Sequence, residues 1–145
     1  MTITKFSQRL IRYPAWMLMI VLFVGCSISL ISKYDQVIDQ GITDAQRKMD
    51  LLLIQKQRTP APAYDNATYE GLFADLQSLQ TRAASVPKNT QTSTILSLII
   101  NQVQLIKTTD SSGKGSPAFF LAAQNTIDQN CQNALTLELA KKRGE

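Results

Sequence analysis

The sequence predicts an all-α protein, an antiparallel up-down four-helix bundle that follows an N-terminal signal or anchor segment. Three observations support this fold. Four stretches carry apolar residues at steps of three and four, the spacing of one helix face. Loops rich in proline, glycine and small polar residues separate these stretches. No stretch sustains the period of two that is typical of half-buried β-strands.

Residues 1–25 have the layout of a bacterial lipoprotein signal peptide. Lys5, Arg9 and Arg12 form a positive region, and the apolar run AWMLMIVLFVG follows from Ala15. A bilayer span takes roughly 20 apolar residues, so this shorter run suits a signal peptide better. Cys26 follows the triplet FVG, and these four residues resemble a bacterial lipobox in which phenylalanine stands at the position usually held by leucine.

Cys26 is therefore the predicted lipidation site, and residues 26–145 are the predicted helical domain. The alternative is an uncleaved anchor helix with its basic end in the cytoplasm. Both interpretations attach the chain to a membrane and place its domain in the cell envelope, on the periplasmic or extracytoplasmic side. The lipobox also indicates a bacterial origin.

The first helix is expected from Ile28 to a stop at Pro60 and Pro62, because proline cannot continue a helix. Its apolar stripe comprises Ile31, Tyr34, Ile38, Ile42, Ala45, Met49 and Leu52. The opposite face is polar and carries Asp35, Asp39, Asp44 and Asp50. At roughly 30 residues, this helix would project beyond the two middle helices at its N-terminal end, next to the membrane. Gly41 within it should cost roughly 1 kcal/mol relative to alanine.

The second and third helices are expected on either side of Pro87. Asp65 or Asn66 is the expected cap of the second helix. Its stripe comprises Tyr69, Leu72, Leu76, Leu79, Ala83 and Val86. The segment NTQTS supplies capping side chains for the third helix. The seam of that helix comprises Leu96, Ile99, Val103 and Ile106, widened by Ile95, Leu98, Ile100 and Leu105.

The fourth helix is expected to begin at Ser116-Pro117, a cap followed by proline in the first turn. Its stripe comprises Phe120, Ala123, Ile127, Cys131, Ala134 and either Leu137 or Glu138. Lys141, Lys142 and Arg143 suit the negative end of the helix dipole. We expect this basic tail, the outer face of the first helix and the loop 108–116 to form the surface open to partners.

Composition argues against several function classes. The chain has no histidine, which excludes imidazole catalysis and histidine-ligated metals. Of its fifteen lysines and arginines, three precede the apolar run, and the other twelve are balanced by eleven acids. No basic stripe remains for nucleic acid. We expect no cofactor, no metal site and no catalytic residue.

Three features resemble chemical sites without meeting their requirements. The carboxylates of the first helix, Asp35 to Asp50, lack a cleft or a calcium-loop pattern, so we expect a solvated face. Cys131 lies on an apolar stripe, where a buried and inert thiol is expected. The loop around Gly113 and Lys114 lacks the spacing of a phosphate-binding loop.

Four amides lie near seam positions: Asn101, Gln102, Gln124 and Asn130. Such groups either make polar contacts that fix helix register or lie in water at the edges of the bundle.

Three segments carry a family resemblance: CSISLISKYDQVID after the leader, YDNATYEGLFADLQSLQTRAASVPKN in the middle and LTLELAKKR at the end. In these segments the chain resembles an uncharacterised family of small bacterial membrane lipoproteins with a helical mature domain. The resemblance implies a lipid anchor and a helical domain, and it implies no activity. Phe23 in the lipobox departs from the family pattern.

These observations favour a membrane-tethered, non-enzymatic helical module that binds or braces another envelope protein. One alternative is a ligand-sensing bundle, which would signal through a partner because only about 14 residues precede the apolar run. Another is an exclusion or immunity lipoprotein of a mobile element. An enzyme ranks last, because it would rest on carboxylates alone.

Overall fold

The computed structural model describes residues 32–144, and these form four α-helices. They are α1 (Gln36–Lys56), α2 (Asn66–Ser85), α3 (Thr90–Ser111) and α4 (Pro117–Arg143). Each helix packs on two neighbours: α1 on α2 and α4, and α3 on the same two. The fold is therefore the predicted all-α four-helix bundle. Cys26 and the predicted signal or anchor segment lie outside the described residues.

Helix α1 begins later than the periodicity predicts. Asp35 adopts an extended conformation, and its side chain accepts hydrogen bonds from the backbone N–H groups of Val37 and Ile38, which makes it the N-cap. Residues 32–35 are not helical. Helix α1 has 21 residues, and the two middle helices have 20 and 22, so the prediction that the first helix is longer than the middle helices is wrong within residues 32–144.

The predicted seams of α1 and α2 form one half of the core. Their buried apolar residues are Ile38, Ile42, Ala45, Met49, Leu53, Tyr69, Leu72, Phe73, Leu76, Leu79 and Ala83. Leu53 takes the place predicted for Leu52, because the helical period of 3.6 carries the stripe on by one residue. Gly41 has a packing role, since a Cβ there would lie 2.3 Å from Cδ2 of Leu79.

Helices α3 and α4 supply the other half of the core. Its buried apolar residues are Leu96, Ile99, Val103, Ile106, Phe120, Ile127, Cys131 and Ala134. Leu98 and Leu105 were expected to widen the α3 seam, but both are exposed. Glu138, rather than Leu137, occupies the last core position of the α4 stripe.

The helix ends follow the predicted capping chemistry in two of three cases. Asp65 caps α2 by accepting from the N–H of Ala67, and Ser116 caps α4 by accepting from the N–H of Phe119. Asn89 is the N-cap residue of α3, but its side chain makes no cap hydrogen bond. That side chain belongs instead to a buried polar cluster at the same end of the bundle.

Candidate functional site

A buried ion pair between Glu138 and Lys141 lies in the last turns of α4. The Lys141 ammonium lies 2.5 Å from the Oε1 atom of Glu138, 2.5 Å from Oδ1 of Asn89 and 2.9 Å from Oγ1 of Thr92. Thr92 in turn donates to Glu138 Oε1 at 2.8 Å. Each of these side chains is buried. We call these four residues the entry cluster, because Ser32, the first residue that the structure describes, is hydrogen-bonded to it.

The entry cluster satisfies its cation more fully than its anion. The three oxygens around Lys141 match the three donors of an ammonium group. Glu138 Oε1 accepts two of the hydrogen bonds, but Oε2 is buried without a hydrogen-bond partner among the described residues. Because each charge is buried, either would be costly if its partner were removed. Lys141 is thus not part of an exposed basic tail, and that prediction is wrong for this residue.

The segment Ser32–Asp35 is bonded to the bundle at the same end. Ser32 donates to Asn89 at 3.1 Å, and Asp35 pairs with Arg82 of α2 at 2.8 Å. Tyr34 donates to Asp39 at 2.7 Å and lies beneath the Lys142 ammonium, 5.1 Å from its ring centre. This segment is therefore held by residues of α1, α2 and α4 and by the N-cap residue of α3.

A second buried ion pair, between Lys56 and Asp110, lies at the opposite end of the bundle. Lys56 contacts Oδ2 of Asp110 at 2.7 Å and donates to the carbonyl oxygens of Pro62 and Ala63, both at 3.0 Å. Tyr69 donates to the same Asp110 oxygen at 2.9 Å. These contacts join α1, α2, α3 and the connection between α1 and α2. Each end of the bundle therefore has a buried ion pair whose contacts connect neighbouring helices.

The phenol of Tyr69 is held in its neutral form. Burial, the hydrogen bond to Asp110 and the charge of that carboxylate all raise the pKa of Tyr69. Tyr69 also stacks on Tyr64, with ring centres 5.6 Å apart. The phenol is thus a structural hydrogen-bond donor at this end.

The four carboxylates predicted to lie on one solvated face have different roles. Asp44 is exposed beside Arg47, as predicted, and Asp39 accepts from Tyr34. Asp35 is a cap: burial alone would raise its pKa, but hydrogen bonds from Arg82 and from the N–H groups of Ile38 and Val37 lower it. The prediction of a solvated face therefore fails for Asp35 and for Asp50, which faces α4.

Asp50 takes part in a polar network between α1 and α4. It accepts a hydrogen bond from Gln124 at 3.0 Å, and Gln124 accepts one from Gln57 at 2.8 Å. Burial raises the pKa of Asp50, the hydrogen bond from Gln124 lowers it in part, and the nearby carboxylate of Asp128 raises it further. Asp128 accepts from Gln46 at 2.8 Å.

We expect Asp50→Asn to stabilise the bundle at pH 7 by up to about 1 kcal/mol, the scale of a partly exposed charge interaction. The asparagine oxygen can still accept from Gln124, and it carries no charge beside Asp128. A carboxyl with a raised folded pKa loses stability as pH rises from its unfolded value, near 4, through its folded value. The gain should therefore disappear below about pH 4.

Urea unfolding at pH 7 and at pH 3.5, followed by circular dichroism, measures this difference. Asp44→Asn is the matched control, since Asp44 is exposed on the same helix. Equal effects of Asp50→Asn at both pH values would contradict the assignment.

Cys131 is buried on the core side of α4, as the sequence predicts. Burial first, and then the charges of Asp128 and Asp50, raise the pKa of its thiol to about 12. A thiol in that state supplies almost no thiolate at neutral pH, so Cys131 serves as a small core side chain.

Of the amides singled out in the sequence, three take part in contacts between helices. Asn130 of α4 donates to Gln102 of α3 at 3.0 Å, and Gln124 bridges Asp50 and Gln57. Asn101 is exposed. These contacts fit the predicted role of amides in fixing helix register.

The described part of the chain lacks two kinds of site, a cluster of metal ligands and a membrane-spanning helix. Residues 32–144 contain no group of three or more acids or cysteines placed to hold a metal ion. No helix in this range has the length and apolarity to span a membrane. Gly113, at φ +66°, turns the exposed loop between α3 and α4.

The sequence and the structure were compared with known proteins. No protein-family model, no curated protein and no solved structure matches it. The resemblance to small membrane lipoproteins therefore stays a prediction.

Sequence reasoning missed both buried ion pairs. Lys56 and Lys141 each lie in the last turn of a helix, where an exposed cation is the ordinary expectation. The available signal was the pair Glu138 and Lys141, three residues apart in line with the apolar α4 stripe. For Lys56 and Asp110, which are far apart in sequence, the pattern offers no comparable signal.

Proposed function

We propose that this chain is a membrane-tethered, non-enzymatic helical module of the bacterial cell envelope that binds or braces another envelope protein. One observation carries the proposal: the segment Ser32–Asp35, which follows the predicted anchor, contacts residues of α1, α2 and α4 and the N-cap residue of α3. A mechanical force on the anchor would therefore be transmitted through these contacts to the bundle. This arrangement suits a domain whose position relative to a membrane matters.

The use of the ionisable groups supports binding over turnover. A catalytic group needs access to a substrate as well as a perturbed pKa. Glu138, Lys141, Lys56 and Asp110 are instead engaged in contacts that join helices, and the Cys131 thiol is enclosed by the core. Because apolar side chains fill the core, we place the binding function on the surface of the bundle.

A ligand-sensing bundle that acts through a partner is the second candidate. The observation in its favour is a surface groove of about 690 Å³ between α1 and α2. Leu51 and Leu72 line it together with Gly71, and Lys48 and Asp75 pair across it at 2.6 Å. A small amphipathic ligand fits such a groove. An exclusion or immunity lipoprotein is a narrower form of the main proposal.

Metabolic labelling with a fatty-acid analogue tests whether the chain is attached to the membrane by a lipid on Cys26. We expect label on the wild-type chain and on Cys131→Ala, and none on Cys26→Ala, because Cys26 is the proposed acceptor. Cys131→Ala is the control for a general effect of losing a thiol. Equal labelling of wild type and Cys26→Ala would contradict lipidation and favour the uncleaved anchor helix.

A further inference from the structure

The outer face shared by α3 and α4 has no charged side chain over most of its length. Helix α3 has none from Thr90 to Ile106. Helix α4 has one from Pro117 to Leu137, Asp128, and that residue accepts from Gln46 of α1 and so lies on the other side of the helix. By contrast, α1 and α2 expose Asp44, Arg47 and several other charges. The outer face of α3 and α4 is thus uncharged along these stretches, whereas the outer faces of α1 and α2 are charged.

Two depressions lie along the junction of α3 and α4. The first, of about 560 Å³, includes Ile95, Leu137 and Ala140, and the second, of about 300 Å³, includes Leu105 and Phe119. The remaining residues of both linings are uncharged: alanine, isoleucine, threonine, asparagine and glutamine. Helical spacing places Leu98 between the two depressions on α3. We call this surface the α3–α4 groove.

Leucines project beside the groove instead of filling the core. Leu98 is 49% exposed and Leu105 is 59% exposed. Single exposed leucines are ordinary on a monomer, but apolar residues grouped on a charge-free surface are typical of the centre of an interface. A charged surface covering this groove would lose its hydration without gaining a charged partner. The occupant should therefore be another uncharged helical surface.

The chain itself presents such a surface, and we propose that a second copy packs on the α3–α4 groove to form a two-fold symmetric dimer. In a two-fold contact the same patch serves both copies, so a neutral face always meets a neutral face. With the two-fold axis near the middle of the groove, Leu105 of one copy lies over the depression that includes Ile95 on the other. An axis near Leu98 brings the two Leu98 side chains together.

Hydrogen bonds within a single copy hold the two helices of this face in register. Thr92 of α3 hydrogen-bonds to Glu138 of α4 near one end, and Gln102 bonds to Asn130 near the middle. A surface whose helices are already held in register loses little conformational entropy on association. This inference does not rest on the proposed function.

The mass of the detergent-solubilised full chain, measured by light scattering with the detergent contribution subtracted, tests the dimer. We expect twice the chain mass for wild type and a single chain mass for Leu98→Glu, because two glutamates would meet at the axis. Ser78→Glu on the exposed side of α2 is the matched control and should keep the double mass. Far-ultraviolet circular dichroism confirms that each variant is folded.

A second variant, Leu105→Glu, tests the proposed interface at another position. It should also halve the mass. A wild-type chain of single mass across the accessible concentration range would overturn the dimer. So would a Leu98→Glu variant that keeps the double mass. Failure of the dimer leaves the proposed function standing, because the fatty-acid labelling and the capture of another envelope protein do not depend on self-association.

Discussion

Replacing Lys141 by methionine should lower the free energy of unfolding by about 3–5 kcal/mol, the usual cost of breaking a buried ion pair from one side. The change leaves the Glu138 carboxylate, which is 0% exposed, with Thr92 as its remaining hydrogen-bond donor. Asn89 also loses one of its two donors and keeps only the hydrogen bond from Ser32. Since single domains have a total stability of about 5–15 kcal/mol, this loss is a large fraction of it.

Urea unfolding followed by circular dichroism measures the effect. Lys142→Met is the matched control, because Lys142 is the next residue, is exposed, and should cost less than about 1 kcal/mol. Adding Glu138→Leu to Lys141→Met removes both buried charges and should recover most of the loss. A Lys141→Met chain as stable as wild type would contradict the entry cluster.

Ile99→Asp should destabilise the bundle by at least about 4 kcal/mol, through the lost burial of the side chain and the introduction of an unpaired charge in the core. Ile99 is 0% exposed in the middle of α3. Leu76→Asp, on the packed face of α2, should behave in the same way, since Leu76 is also 0% exposed. Both variants test the seams that define the fold.

Exposed neighbours provide the controls for these substitutions. Asn101→Asp on α3 and Gln77→Asp on α2 add the same charge at exposed positions and should each change stability by less than about 0.5 kcal/mol. Thermal unfolding of the four variants gives the comparison. Similar unfolding midpoints for Ile99→Asp and Asn101→Asp would contradict the assignment of the α3 core face.

The sequence was sufficient to predict the helices and most of the core, because apolar periodicity reports directly on which face is buried. Ile38, Leu76 and Ile127 follow from spacing alone. Spacing failed at Leu98 and Leu105, since an apolar residue beside a seam looks like core whether or not a neighbouring helix covers it. It also failed at Asp35, where the same side chain serves a helix face or a helix cap depending on where the helix begins.

The sequence did not predict the buried ion pairs, and the reason is different. Whether Lys141 is buried depends on Asn89 and Thr92, which lie at the start of another helix about fifty residues earlier in the chain. Local sequence around Lys141 shows a basic helix end, and Glu138 three residues earlier is the one local sign of a partner. Lys56 has no such sign, since its carboxylate partner lies on α3. Polar contacts of this kind require the packing of the helices before they can be identified.

Site-specific photo-crosslinking in intact cells tests the central claim most directly. A photoreactive amino acid is placed in the full chain at Gln40 on the exposed face of α1, with a second variant carrying it at the buried position Ile99 as the control. Because α1 is outside the α3–α4 groove, adducts from Gln40 report on partners other than a second copy. We predict an adduct between Gln40 and another membrane or periplasmic protein, and none from Ile99. Adducts with cytoplasmic proteins, or none from Gln40 or any other exposed position, would contradict an envelope-binding module.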